Sequence, residues 1–222
     1  MDAAPMQTAE LEFLQGFLLE VIKVMPPELQ GPLGEILEFR VALQSESDRA
    51  TALMAAAFLE DYLAKLISCF MVKDPKASRE IFSHNGPLGT FSAKIDMAYM
   101  LALISPAVRK DLHLLRKIRN EFAHTAKPLE FTEHRIKSRC EELTCTGLAP
   151  KKDNPRTKFN RAMMTIAQDI ALKMTKTEHL SEKEETIQPG AGTETVKFVI
   201  EFMKRNGLDP SVLQNGIEFK SE

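Results

Sequence analysis

The chain has 222 residues, enough for one sizeable helical core and an appendage. Apolar side chains make up 44% and charged ones 27%, the balance of a globular rather than a disordered protein. The lack of Trp, with only 2 Tyr, argues against an aromatic base-stacking surface, although 13 Phe remain. Three Cys, an odd number without a regular framework, point to a reducing, cytoplasmic setting. The N-terminal MDAAPMQTAE has no basic stretch followed by an apolar run, so no signal peptide is expected. No stretch approaches the ~18 uninterrupted apolar residues that span a membrane.

The net charge of −2 hides an uneven distribution. Residues 1–48 carry 9 acidic and 2 basic side chains, whereas residues 109–140 carry 9 basic and 4 acidic ones. Residues 150–176 are again basic, 7 against 2. The simple reading is a set of differently solvated helix faces. The sharper one is a basic surface for an anionic partner, or an acidic N-terminus docking on the basic middle.

Nearly every long segment has a helical period, and the fold class expected is all-α, a helical bundle with a C-terminal helical extension. Residues 8–24 align Leu11, Leu14, Leu18, Val21 and Ile22. Pro26 and Pro27 break that pattern and open a second helix over 28–44. Ser47 or Asp48 caps a long helix to about Val72, which Lys73-Asp74-Pro75 ends. A short helix over 76–83 leads to the turn Asn85-Gly86-Pro87-Leu88-Gly89. Thr90 caps a helix to Ile104, and the Ser105-Pro106 pair starts another that reaches about Ala123. A further helix is expected between Thr132 and Leu143. Cys145 to Pro155 reads as a linker, followed by tail helices around 156–176 and 194–206 and a polar connector over 177–192. Residues 217–219 could be extended. The domains expected are 1–145, the bundle, and 146–222, linker and tail.

On helical wheels, Arg49 and Glu60 fall among Leu53, Ala56, Leu63, Ile67 and Met71, and Arg119 falls among Val108, Leu112, Leu115 and Phe122. Ions on an apolar face are expected to pair. Glu60 with Arg119 is the natural inter-helix pair, with Asp61 and Asp96 as other acceptors. At ~4 Å and an effective dielectric of ~20 the attraction is about 4 kcal/mol before desolvation. The plain reading is a buried salt bridge that sets helix register, and the functional one is a polar site inside the bundle. Arg116, Asn120 and His124, each four residues apart, form a polar ladder beside the stripe.

Arg119-Asn120-Glu121-Phe122-Ala123-His124 resembles the R-x4-H pattern of HEPN-type helical domains. That resemblance implies, as an alternative, a metal-independent ribonuclease or toxin. Arg119 would bind phosphate, His124 would transfer a proton and Asn120 would position RNA. A wider set of motifs occurs in order. It comprises Ser47-Asp48-Arg49, the Ala-rich helix ending Phe58-Leu59-Glu60-Asp61, the Asn85–Gly89 turn, Phe91 to Ile104, and Leu112 to His124. Together these resemble the mannitol-operon repressor (MtlR-like) regulators, most strongly over 40–145. The resemblance implies a compact helical bundle and a role in repressing mannitol transport and metabolism genes. No helix-turn-helix module is evident, so regulation is expected through protein contacts, or through an unrecognised surface, rather than a recognition helix in the major groove.

Other candidate sites have plain readings. Cys140 and Cys145 with His134 nearby are too loosely spaced for a zinc pair, and a fourth ligand is missing. Cys69 reads as core, His84 as a turn residue and His113 as a surface residue or a member of the Arg116–Asn120 patch. The Gly86–Gly89 turn lacks the spacing of a phosphate loop. Met54, Met71, Met97 and Met100 read as core or interface filler. The expectation is a non-enzymatic regulator with no metal and no cofactor, whose polar cluster is Arg49, Glu60, Arg116, Arg119, Asn120 and His124. The partners expected are a protein and, by analogy with other small bundles, a second copy of the chain as a homodimer. RNA enters only under the alternative, direct DNA binding is left open, and no membrane is involved.

Overall fold

Side-chain caps set most of the helix starts. The computed structural model describes residues 8–147, 154–183 and 194–211, with side chains from residue 16 in the first helix and from 196 in the last. Among them are nine helices and no strand: α1 (Thr8–Lys23), α2 (Pro27–Ala42), α3 (Asp48–Phe70), α4 (Pro75–Phe82), α5 (Phe91–Met100), α6 (Pro106–His124), α7 (His134–Glu141), α8 (Pro155–Met174) and α9 (Glu194–Arg205). The all-α expectation holds. The Ser47, Thr90, Ser105 and Asn154 side chains each accept from a backbone N–H three residues on, and Asp74 accepts from two. Each such cap contributes ~1 kcal/mol. The extended segment expected at 217–219 lies outside the described residues.

α5 ends earlier than its apolar pattern suggests. The Leu103 amide donates to the Ala98 carbonyl and the Ala102 amide to that of Tyr99, the paired bonds of a Schellman stop. Ala102 takes the left-handed position at φ 58°, where glycine is usual. Without a glycine to mark it, the stop was invisible to sequence patterning. It turns the chain in time for Ser105 to cap α6.

α3 forms the centre of the bundle, with Leu59, Leu63, Leu66 and Ile67 fully buried. α5, α6 and α8 pack around it, and α2 packs on α8. The 156–176 helix, expected in a tail, is therefore core. Phe159, Met163, Ile166 and Ile170 of α8 are 0–1% exposed. Phe131 packs with its ring tilted between Phe122 of α6 and Phe159 of α8, at centroid distances of 5.0 and 4.9 Å. A second aromatic set, the stacked rings of Phe39, Phe58 and Tyr62, fastens α2 to α3 at 4.2 and 4.5 Å. The Tyr62 hydroxyl also donates to Glu35 at 3.0 Å.

The chain divides into a compact unit reaching Leu180 and a second from Ser181 onward. In the second, α9 is amphipathic, with Phe198 67% and Phe202 55% exposed. No described helix is long and apolar enough to cross a membrane.

Candidate functional site

The start of α3 and the segment after α6 are tied together by charge. Arg49 donates to the carbonyls of Thr125 and Lys127, the latter at 2.9 Å. Asp48 accepts from the Phe131 amide at 2.8 Å and from Arg156 at 2.8 Å. Arg156, on α8, also reaches the carbonyls of Leu43 and Glu46 and the Thr51 hydroxyl. One guanidinium thus satisfies four acceptors where the α2–α3 connection crosses α8. Ser47-Asp48-Arg49 is a structural clasp, and Arg49 is spent on backbone carbonyls instead of sitting in the apolar stripe.

The expected Glu60–Arg119 pair does not form. Glu60 accepts from Lys94 of α5 at 2.6 Å, and the Lys94 side chain is 8% exposed. α5 and α6 both pack against α3, and it is α5 that brings a cation, Lys94, to Glu60. Asp61 pairs instead with Lys65 at 2.7 Å. Arg119 is half-buried and makes no hydrogen bond or ion pair among the described residues. It was misplaced because the buried face of α6 is rotated from the sequence estimate. Asp111, Leu114, Ile118 and Phe122 are buried, whereas Ala123 is exposed. α7 and α8 cover that side, which leaves Arg119 at the edge of the core. α6 is continuous to His124, so Arg119 and His124 point ~140° apart at ~100° per residue. His124 is exposed. Arg119 and His124 do not converge within one chain.

α6 instead presents a basic flank. Arg109, His113, Arg116 and Asn120 line one side, with Lys110, Lys117 and His124 beyond them. The Arg116 Nε is buried without a hydrogen-bond partner. Of the two carboxylates of α6, Asp111 points away from this flank and Glu121 stands one turn beyond Lys117. Asp111 is fully buried and accepts from the amides of Thr144 at 2.7 Å and Cys145 at 2.6 Å. Glu121 is bound by Arg139 at 2.9 Å. From α5, Asp96 accepts from Arg109 at 2.7 Å and lies 3.2 Å from the His113 ring. The hydrogen bond from Arg109 holds the Asp96 carboxyl below its usual range; desolvation opposes it, and His113 adds to the lowering. Arg109 stacks over Tyr99 at 4.7 Å. Sequence reading found Arg116, Asn120 and His124 but missed Lys94 and Arg109 as partners. An exposed-looking Lys on a short helix carries no periodic signal of burial.

The remaining candidates are structural. Burial pushes the Cys140 thiol up to about 12 and, with the Asp111 charge adding to it, the Cys145 thiol up to about 11. Neither is a ready nucleophile. Among the described residues no cluster of His, Cys, Asp and Glu is arranged to hold a metal. An open apolar groove of about 460 Å³ lies between α1, α2 and α8, with Arg40 and Gln168 as its polar lining.

Comparison with known proteins places this geometry in context. A search of curated proteins gives no significant match. A chain in the X-ray structure of the MtlR-HPr complex from Escherichia coli shares the fold, with a TM-score of 0.53 and 20% identity. That similarity covers 62% of this chain and 97% of the other. The family model described as MtlR, mannitol repressor, matches residues 35–184, a span that begins in α2 and takes in α8. That is more than half of the sequence, and the chain belongs to the mannitol repressor family.

Proposed function

We propose that this chain is a mannitol-operon regulator that acts through a protein partner and not through a DNA-reading helix of its own. The observation that carries the reading is the family match over residues 35–184. Two features support it. The fold neighbour is a complex with a protein, HPr, which makes HPr the first partner to try. Neither helix pair nearest to helix–turn–helix order is a good reader of DNA: α2, joined to α1 by residues 24–26, carries Glu28, Glu35 and Glu38 against the single cation Arg40, and the α4 to α5 passage is no better. Its connection spans residues 83–90, well beyond the three or four residues of such motifs, and α5 buries its only cation, Lys94, against Glu60.

The test has two arms. Titration calorimetry of the full chain with HPr should give a saturable isotherm. Deletion of the gene should raise mannitol-operon transcript in the absence of mannitol. No heat together with an unchanged transcript would overturn the reading.

A further inference from the structure

We propose that the flank shared by α3 and α6 is a docking surface for a protein segment that presents carboxylates around an apolar side chain. The inference deepens the protein-contact reading above by assigning it a surface and a partner chemistry.

The first argument is charge. From Arg109 to His124, about 22 Å of helix at 1.5 Å per residue, α6 offers Arg109, Lys110, His113, Arg116, Lys117 and His124 on adjoining faces. Its two carboxylates are used elsewhere, Asp111 beneath the helix and Glu121 on Arg139. Neighbouring helices do little to neutralise the stripe. Glu60 is occupied by Lys94, and Asp96 balances only the Arg109 end. A segment bearing several carboxylates is the complement.

The second argument decides the class of partner. The stripe is bracketed by exposed apolar side chains. Met100, 76% exposed, lies one turn beyond Asp96 on α5. Leu53, 37% exposed, lies one turn beyond Arg49 on α3, and Arg49 is bound to the chain just after α6. Arg116 and Arg119 are half-buried, their stems against the bundle, and Arg109 is stacked on Tyr99. Half-buried arginines beside exposed aliphatic groups are the make-up of a protein-binding hot spot. A phosphodiester backbone is tracked by extended, fully solvated cations and has no use for Leu53 or Met100.

The experiment uses the full chain and two labelled peptides, one of Glu residues around a central Leu and one of Glu alone, read by fluorescence anisotropy. The Leu-containing peptide should bind several-fold more tightly than the all-Glu one. Raising the salt from about 0.1 to about 1 M should weaken both. The double variant Lys117→Glu, His124→Glu changes only exposed positions and should weaken binding ~tenfold or more. Leu53→Ser should abolish the preference for the Leu-containing peptide. Arg135→Glu with Lys137→Glu, exposed on α7, should leave binding unchanged.

Three results would overturn the proposal: no binding by the wild-type chain, equal binding by the Lys117/His124 variant, or tighter binding of duplex DNA through the same residues. Low-salt self-association that the Lys117/His124 variant abolishes would also overturn it, by assigning the flank to the acidic N-terminal region of a second copy. HPr titrated in parallel separates the two ideas. Failure of HPr to bind removes the named partner while the peptide result still decides the flank.

Discussion

Replacing Arg156 with Met tests whether α8 is a working part of the bundle. The guanidinium bonds to Asp48 at 2.8 Å, the Leu43 carbonyl at 3.1 Å, the Thr51 hydroxyl at 3.0 Å and the Glu46 carbonyl. Four hydrogen bonds to a charged donor, at ~1.5–3 kcal/mol each, would sum to an unrealistic figure. Breaking a buried ion pair costs ~3–5 kcal/mol. Here the Arg156 and Asp48 side chains are 30% and 21% exposed, and Asp48 keeps the Phe131 amide, so the loss is smaller. Water can reach Asp48, but Thr51 is fully buried and Leu43 is 1% exposed. The expected cost is ~3 kcal/mol, which lowers the melting temperature by about 6–12 °C for a chain of this size. Urea unfolding followed by far-UV circular dichroism gives the free energy directly. Arg156→Lys should recover only part of it, because an ammonium lacks the fork that spans four acceptors. A change below ~0.5 kcal/mol for Arg156→Met, with an unchanged denaturant slope, would refute the reasoning and the role assigned to this clasp.

Three further outcomes follow from the same geometry. Lys94→Met leaves the Glu60 carboxylate half-buried without its cation and should cost ~2–3 kcal/mol, part of which Glu60→Gln in the same chain restores; additive losses in a double-mutant cycle would show that the pair is not coupled. Ala102→Gly relieves the left-handed backbone at φ 58° and should raise the unfolding free energy by up to ~1 kcal/mol, read as a higher urea midpoint, since the relief exceeds the extra freedom of glycine in the unfolded chain; a lower midpoint would count against the Schellman stop. Asp96 has its carboxyl held low by Arg109, so its contribution is present above the unfolded value near ~3.9 and is lost as pH falls through the lower folded value. Asp96→Asn should therefore flatten that part of the acid-unfolding curve and leave stability at neutral pH little changed, because the pair is nearly half exposed.

Local chemistry written in the sequence was enough for most of the helix starts. Ser47, Asp74, Thr90, Ser105 and Asn154 stop the chain and start it again wherever they occur, because a cap needs only the next few amides. The ordered motifs from Ser47 to His124 were likewise enough for the family resemblance, since order along a chain is visible without coordinates. The partners of the charged residues were decided only by tertiary packing. A wheel shows which side of a helix is apolar but not which neighbour covers its edge, and α7 and α8 turned the buried side of α6 away from Arg119. With Arg119 displaced to the rim, Glu60 met Lys94, and the cations of α6 were left facing outward. α8 itself looked like a tail because a linker precedes it, yet Phe159, Met163 and Ile166 fill the bundle beside α3. Distance along the chain carries no information about such a return, since burying apolar surface rewards whichever helix fits the gap.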